Sequence, residues 1–127
     1  NAEWIVSAKK IKDGKVSKFR KEYNLPIKYH YSKENEISST YLDHLYQLAE
    51  YYIANSKNNL IKLFVKNRDA LAYSVEKQTK ENKGYYVLGI YTESEHKINT
   101  FQWLYIDPET DIIYEYDLPN DKLIKFP

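Results

Sequence analysis

The chain has 127 residues, of which 43% are hydrophobic and 16% aromatic, and its formal net charge is +1. This length fits one domain with one core, and the apolar content excludes a disordered chain. The sequence contains no Cys, which excludes a disulfide framework, Cys-ligated zinc and a thiol nucleophile.

The charge is unevenly distributed, because residues 1–33 sum to +6 and the remainder to −5. One interpretation is a basic arm that faces an anionic partner such as a membrane surface. The other is an arm that is solvated or lies on the acidic remainder of the chain. Phe19 and Tyr23 lie among these lysines, as aromatic residues do in single-strand binders. However, the acidic remainder would repel phosphates, so no nucleic-acid partner is expected.

Residues 1–37 form a basic N-terminal segment whose structure the sequence defines least. WIVSAKKI favours a short strand and DGK (13–15) a turn, so a hairpin with VSKF is predicted. LPIKYHY favours an extended edge segment, because Pro26 lacks the backbone donor that a central strand needs.

Residues 38–127 are predicted to form a core of two helices followed by a strand meander. The first helix starts at Thr40, with Asp43 three positions on, and Leu42, Leu45 and Ala49 recur at helical spacing. LIKLFV (60–65) is ambiguous between strand and helix. A second helix is predicted from Asn67 or Asp69, with Ala70, Leu71, Ala72, Val75 and Gln78 on its inner face, and KENKG (80–84) ends it.

From Tyr85 onward the hydrophobic period changes to two. YYVLGIYTE, NTFQWLYID, DIIYEYD and KLIKF read as four strands, separated by the turn-like stretches ESEHKI, PET and LPN. Such short links favour an antiparallel meander. The predicted fold is therefore one α+β domain over residues 1–127, with two helices packed on an antiparallel sheet of about four strands.

The stretch DPETD (107–111) spaces three acids like the start of a calcium loop. A calcium loop also needs glycine at position six and glutamate at position twelve, and counting from Asp107 these positions are Ile112 and Leu118. Asp followed by Pro instead favours a turn whose first side chain accepts from nearby backbone amides. A turn between strands is predicted here.

A second acidic cluster consists of Glu115, Asp117 and Asp121, and the first two of these acids alternate with Tyr114 and Tyr116. Two carboxyls at this spacing satisfy the distance requirement of a glycosidase, but acids on the wet face of an antiparallel sheet are the ordinary case. The three histidines share no metal-binding spacing, and no phosphate loop or serine elbow occurs. No catalytic residue, metal or cofactor is predicted.

The aromatic residues of the C-terminal strands are the better candidates for binding. Phe101, Trp103 and Tyr105 share one face of their strand, and an open face of this kind suits a peptide, lipid or glycan. The alternative is that cross-strand aromatic pairs only stabilise the sheet, or that the N-terminal segment covers them. The predicted binding residues are Trp103, Tyr105, Tyr114, Tyr116 and, in the loop after the first strand, Glu95 and His96.

The C-terminal third resembles the closing strands of small bacterial lipoprotein and exported domains. The resemblance rests on YYVLGIYTESEH, on FQWLYIDPETDIIYEYDLPNDKLIKF, and on a preceding Ala- and Leu-rich helix comparable to DALAYSVEK. This arrangement is similar to PepSY-type and cystatin-like α+β domains, although Asp111 replaces the usual Gly after DPxT. The resemblance implies an exported location and a binding or inhibitory role, and it assigns no catalytic residues.

Together these observations predict a non-enzymatic, extracytoplasmic or cell-envelope bacterial domain that binds a macromolecule, such as a protein, through its sheet or loops. The chain does not begin with Met, and Asn1-Ala2 resembles the remnant of a cloning tag. We therefore expect a trimmed product that has lost a signal peptide. One version of this hypothesis is a signal peptide that ends in a lipid-anchored Cys. Two alternatives stay open: an inhibitor or immunity-type protein that blocks a toxin or hydrolase through its acidic stretch (107–121), and a hydrolase that uses Glu115 or Asp117. The sequence defines no oligomeric state.

Overall fold

The computed structural model describes residues 14–93 and 100–127. Within these ranges the chain is α+β, with three α-helices, one short 3₁₀ helix and a six-stranded sheet. The elements in chain order are α1 (Gly14–Tyr23), β1 (Lys28–Tyr31), the 3₁₀ helix (Lys33–Asn35), α2 (Ser39–Asn55), α3 (Asn59–Asn67), β2 (Leu71–Lys80), β3 (Lys83–Thr92), β4 (Gln102–Ile106), β5 (Ile113–Asp117) and β6 (Lys122–Lys125). None of the helices in these ranges has the length and apolar character needed to cross a membrane.

The chain divides into two compact units. The helical unit contains Ile37–Ala70 and the described residues up to Pro26, and the sheet unit contains Ile27–Glu36 and Leu71–Pro127. The sheet unit is therefore assembled from two separate stretches of sequence.

Side-chain caps start two helices of the helical unit. The Ser38 hydroxyl accepts from the Tyr41 backbone N–H at the start of α2, and the Asn58 carboxamide oxygen accepts from the Leu60 and Ile61 N–H groups at the start of α3. Such caps satisfy backbone donors that have no partner within a helix. A stripe of α2 is buried, consisting of Leu42, Leu45, Leu48, Ala49, Tyr52 and Ile53.

Polar contacts fix α1 within the helical unit. The Arg20 guanidinium donates to both Glu50 carboxylate oxygens of α2, at 2.7 and 2.9 Å. Nε of Arg68 donates to the Tyr23 carbonyl at 2.9 Å, and the Tyr23 hydroxyl donates to the Asp69 carbonyl at 2.6 Å. These contacts hold the C-terminal half of α1 against residues that lie far along the chain.

The sheet has the order β1-β2-β3-β4-β5-β6. Strands β2 to β6 form an antiparallel meander, whereas β1 pairs with β2 in parallel. The four predicted C-terminal strands are confirmed, as is the extended edge segment after Pro26, which forms β1. The predicted two helices and antiparallel sheet of about four strands were wrong in detail, because the described residues contain three α-helices and six strands, and the β1–β2 pair is parallel.

Two local predictions were wrong. The hairpin across DGK and VSKF is instead helix α1, because Val16, Phe19 and Tyr23 recur at helical spacing and are all buried. The strand half of that prediction, WIVSAKKI, lies outside the described residues.

The second predicted helix, from Asn67 or Asp69, is instead strand β2. Ala and Leu favoured a helix there, but pairing with β1 on one side and β3 on the other overrides that preference. The ambiguous LIKLFV forms helix α3. The first predicted helix is confirmed, although its cap is Ser38 and not Thr40.

Candidate functional site: an aromatic sheet face

Five aromatic residues share one face of β3, β4 and β5, and we call them the aromatic face: Tyr85, Trp103, Tyr105, Tyr114 and Tyr116. Tyr105 lies directly opposite Tyr114 across the β4–β5 pair. The Tyr105 ring centroid lies 5.5 Å from that of Tyr85 and 5.5 Å from that of Tyr116. Tyr85 also meets the Tyr114 ring edge to face at 6.3 Å. These spacings are those of favourable aromatic pairs.

The hydroxyl groups of two of these tyrosines have fixed partners. The Tyr105 hydroxyl donates to Oε1 of Gln78 at 3.1 Å. The Tyr116 hydroxyl donates to Oδ1 of Asp121 at 2.7 Å, and the Lys80 ammonium reaches the same oxygen at 2.7 Å. Each of these two rings is therefore held by a hydrogen bond at its hydroxyl as well as by contact with a neighbouring ring.

Lys80 also lies over the Tyr116 ring, with Nζ 5.6 Å from the centroid, which is a cation–π contact. The hydrogen bond with Asp121 raises the pKa of Lys80, and the hydrogen bonds from Lys80 and Tyr116 lower the pKa of Asp121. The same hydrogen bond to Asp121 raises the pKa of the Tyr116 phenol. At neutral pH Lys80 is thus an ammonium, Asp121 is a carboxylate and the Tyr116 phenol is protonated.

Trp103 lies opposite Gly89 of β3. A Cβ atom placed on Gly89 would lie 2.6 Å from Cζ3 of Trp103 and 2.8 Å from Oγ of Ser74. The indole therefore occupies the space that a side chain at position 89 would need. Glycine in a strand often marks such a close approach.

The opposite face of the same strands is deeply buried at its centre, although Tyr86, Glu115 and Asp117 on that face are half-buried. Leu88, Leu104, Ile106 and Ile113 are each at most 1% exposed. In contrast, Tyr85, Trp103, Tyr114 and Tyr116 are half-buried, and only Tyr105 among the five belongs to the buried class. The aromatic face thus combines fixed rings with accessible ring surface.

Tight turns bring these strands into register. Glu81 and Asn82 both have positive φ, 51° and 65°, between the paired residues Lys80 and Lys83. Two central residues with positive φ characterise the type I′ hairpin, whose twist matches that of the strands. This hairpin places Lys80 and Gln78 beside the tyrosines of the meander.

The acid-rich stretch 107–111 is a turn, as predicted. Oδ1 of Asp107 accepts from the Glu109 N–H at 2.9 Å, and Oδ2 lies 2.7 Å from Nζ of Lys83. Burial of the Asp107 carboxyl opposes its ionisation, but the hydrogen bonds from Lys83, Glu109 and Thr110 outweigh burial and lower its pKa. Asp111 has φ 61°, the left-handed conformation that glycine adopts most readily.

The predicted binding residues divide into two groups. Trp103 and Tyr105 share a face of β4, Tyr114 and Tyr116 share a face of β5, and the register places all four on one side of the sheet. Glu95 and His96 lie outside the described residues.

The two acids that alternate with these tyrosines lie on the opposite side of β5. Glu115 pairs in register with Leu104 and Ile124, and the Asp117 carboxylate accepts from the Asn120 carboxamide at 2.8 Å. Within residues 14–93 and 100–127, no three or more His, Asp or Glu side chains are grouped so that they could hold a metal ion.

No family model matches this chain, and no curated protein or solved structure is significantly similar to it.

Sequence reasoning missed Gln78 and Lys80, because both were assigned to a predicted helix or its end. The alternation of Leu71, Tyr73 and Val75, all buried, is the signal that could have identified the strand that carries them. Asp121 was assigned only to an acidic stretch. Its contact with Lys80 joins residues from β2 and from the turn before β6, so no local spacing could have indicated it.

Proposed function

We propose that this domain is a non-enzymatic binding domain of the bacterial cell envelope that holds a protein partner against its aromatic face. The observation that carries the proposal is the half-buried state of Tyr85, Trp103, Tyr114 and Tyr116 on one side of a sheet whose other side buries Leu88, Leu104, Ile106 and Ile113.

The chemistry of tyrosine supports a protein partner. A tyrosine ring offers a large apolar surface with a polar tip and loses little conformational entropy on binding, because it has few rotatable bonds. Tyr and Trp are accordingly enriched at the energetic centres of protein interfaces. On the aromatic face, neighbouring rings and the Asp121 carboxylate already restrict Tyr116, so less ordering remains to oppose binding.

The test is affinity capture from a cell-envelope extract with matched tyrosine variants. Tyr114→Ala removes a ring from the aromatic face, whereas Tyr31→Ala removes one that is 41% exposed on strand β1, outside the aromatic face. We expect a protein that the unchanged domain and Tyr31→Ala retain and Tyr114→Ala loses, with both variants folded by circular dichroism. Equal retention by all three would refute the proposal.

The inhibitor and hydrolase alternatives stay predictions with less support. Within the acidic stretch 107–121, Asp107 faces Lys83 and Asp121 faces Lys80, each at 2.7 Å. Both carboxylates are thereby partly neutralised, which weakens their use as an anionic mimic. For a hydrolase, a carboxyl with a raised pKa is required, and the described carboxyls with resolved shifts have lowered pKa values.

The location and the fold likeness belong to the same proposal. Export to the cell envelope, with or without a lipid anchor, and the likeness to PepSY-type or cystatin-like domains both rest on the C-terminal strand motifs. The sequence upstream of residue 1 is the direct test of the location, since a signal peptide or a lipobox there would support it.

A further inference from the structure

A groove of about 770 Å³ lies in the helical unit, and α1, α3 and the residues at the end of α2 line it. Five of its lining residues are lysines from three different segments: Lys15, Lys18, Lys57, Lys62 and Lys66. All five are exposed. Among the lining residues that the structure describes, only Glu22 is acidic, and its carboxylate lies 3.9 Å from Nζ of Lys18. We call this feature the lysine groove.

The charge of the lysine groove is concentrated, since five lysines and one glutamate are among its lining residues. Glu22 and Lys18 are both largely exposed, at 59% and 75% of their side chains, so their attraction is weak and screened. A cleft with apolar walls focuses the field of the charges along its rim. An anion that enters this groove therefore meets a stronger potential than it would over a flat surface with the same lysines.

Part of the groove lining is apolar, beside the polar Asn55 and Ser56. Phe19 and Ile53, which line it, are 5% and 4% exposed, and Val65 is half-buried beside them. A fully hydrated small anion would gain nothing from these side chains. The combination of an apolar floor and a cationic rim instead fits a ligand that carries several negative charges together with an apolar group.

We propose that the lysine groove binds an acidic segment of a partner protein, with several Asp or Glu carboxylates at the lysine rim and one apolar side chain on the Phe19–Ile53 floor. The concave shape favours a peptide over a bilayer, because an extended chain can follow a groove whereas a flat array of head groups meets only its rim. This inference concerns a surface separate from the aromatic face and does not depend on its function.

The test is a fluorescence anisotropy titration of the full chain with a labelled ten-residue peptide of Glu and Asp around a central Leu. We expect the Lys57→Glu/Lys62→Glu variant to bind it at least about tenfold more weakly, since two charge contacts become repulsive. The matched control is Lys33→Glu/Lys122→Glu, which makes the same charge change at exposed lysines of the sheet unit. Replacing the central Leu of the peptide by Ser should weaken binding to the unchanged protein as well.

Two further measurements make the result decisive. Affinity should fall as salt rises, because the rim lysines are exposed and screened. Binding to vesicles with and without phosphatidylglycerol tests the alternative that the lysine groove binds an anionic membrane surface. Binding of the anionic vesicles without binding of the peptide would overturn the proposal in favour of a membrane. Absence of peptide binding, or equal loss in the two charge variants, would overturn it outright.

Discussion

Replacing Gly89 with Ala should destabilise the sheet through Trp103. The added methyl carbon would lie 2.6 Å from Cζ3 and 3.0 Å from Cε3 of the indole, about 1 Å closer than favourable carbon contacts allow. Ser74 can rotate its hydroxyl away, but the indole must move as a rigid plate. Overpacking of this kind costs about 1–3 kcal/mol. The lower chain entropy of Ala offsets about 0.5–1 kcal/mol of that, so the net loss should be about 0–2.5 kcal/mol.

A double-mutant cycle separates the steric effect from any intrinsic effect of Ala in the strand. In a Trp103→Ala background the obstructing ring is gone, so Gly89→Ala should be neutral or stabilising by up to about 1 kcal/mol. The free energy of unfolding is measured by urea denaturation followed by far-UV circular dichroism, since the Trp103 variants alter the fluorescence signal. An equal destabilisation by Gly89→Ala in both backgrounds would refute the reasoning, because the indole would then not be the obstacle.

Three further predictions concern caps, turns and the buried carboxylate. Asn58→Ala should destabilise the fold by about 1 kcal/mol, since α3 loses the cap of its Leu60 and Ile61 amides; urea midpoints would show this, and Asn59→Ala, one residue inside the helix, is the control. Glu81→Asn should stabilise the hairpin by about 0.5–1 kcal/mol, because Asn tolerates a positive φ better than Glu; a lower midpoint would contradict it. Asp107→Asn should be less stable than the unchanged protein at pH 7. Since the folded-state pKa of Asp107 is lowered, its contribution is fully present above the unfolded pKa of about 4 and is lost as pH falls through the folded value. The two proteins should therefore converge below about pH 4, and a constant difference down to pH 2 would exclude this assignment.

The C-terminal half was predictable because local signals agreed with the final structure. From Tyr85 onward four short runs rich in apolar residues follow one another, and the separators PET and LPN occur at turns. The shared faces of Trp103 with Tyr105 and of Tyr114 with Tyr116 follow from the strand period of two. The register that joins the two pairs into one face depends on the turn at 107–112, where Asp111 takes the left-handed conformation without being glycine.

The N-terminal half was harder because composition and tertiary pairing disagree there. Strand β2 begins with Leu71-Ala72, residues that favour helices when considered alone, yet it becomes a strand because β1 and β3 hydrogen-bond to both of its edges. Helix α1 begins at Gly14, in a stretch that reads locally as a turn. The Lys80–Asp121 contact and the lysine groove each join residues distant in sequence, so only the folded chain shows them.

The parallel pairing of β1 with β2 has a consequence for how this protein can be divided. The whole of α2 and α3 lies between these adjacent strands in the sequence, so the sheet cannot be excised as one continuous fragment. A fragment that starts at Leu71 would keep the meander but would remove the β1 partner of residues Ala72 to Val75, so this part of the β2 edge would lose its pairing. An unpaired strand edge is a template for self-association, and in the intact protein β1 covers this part of the edge with a strand of only four residues.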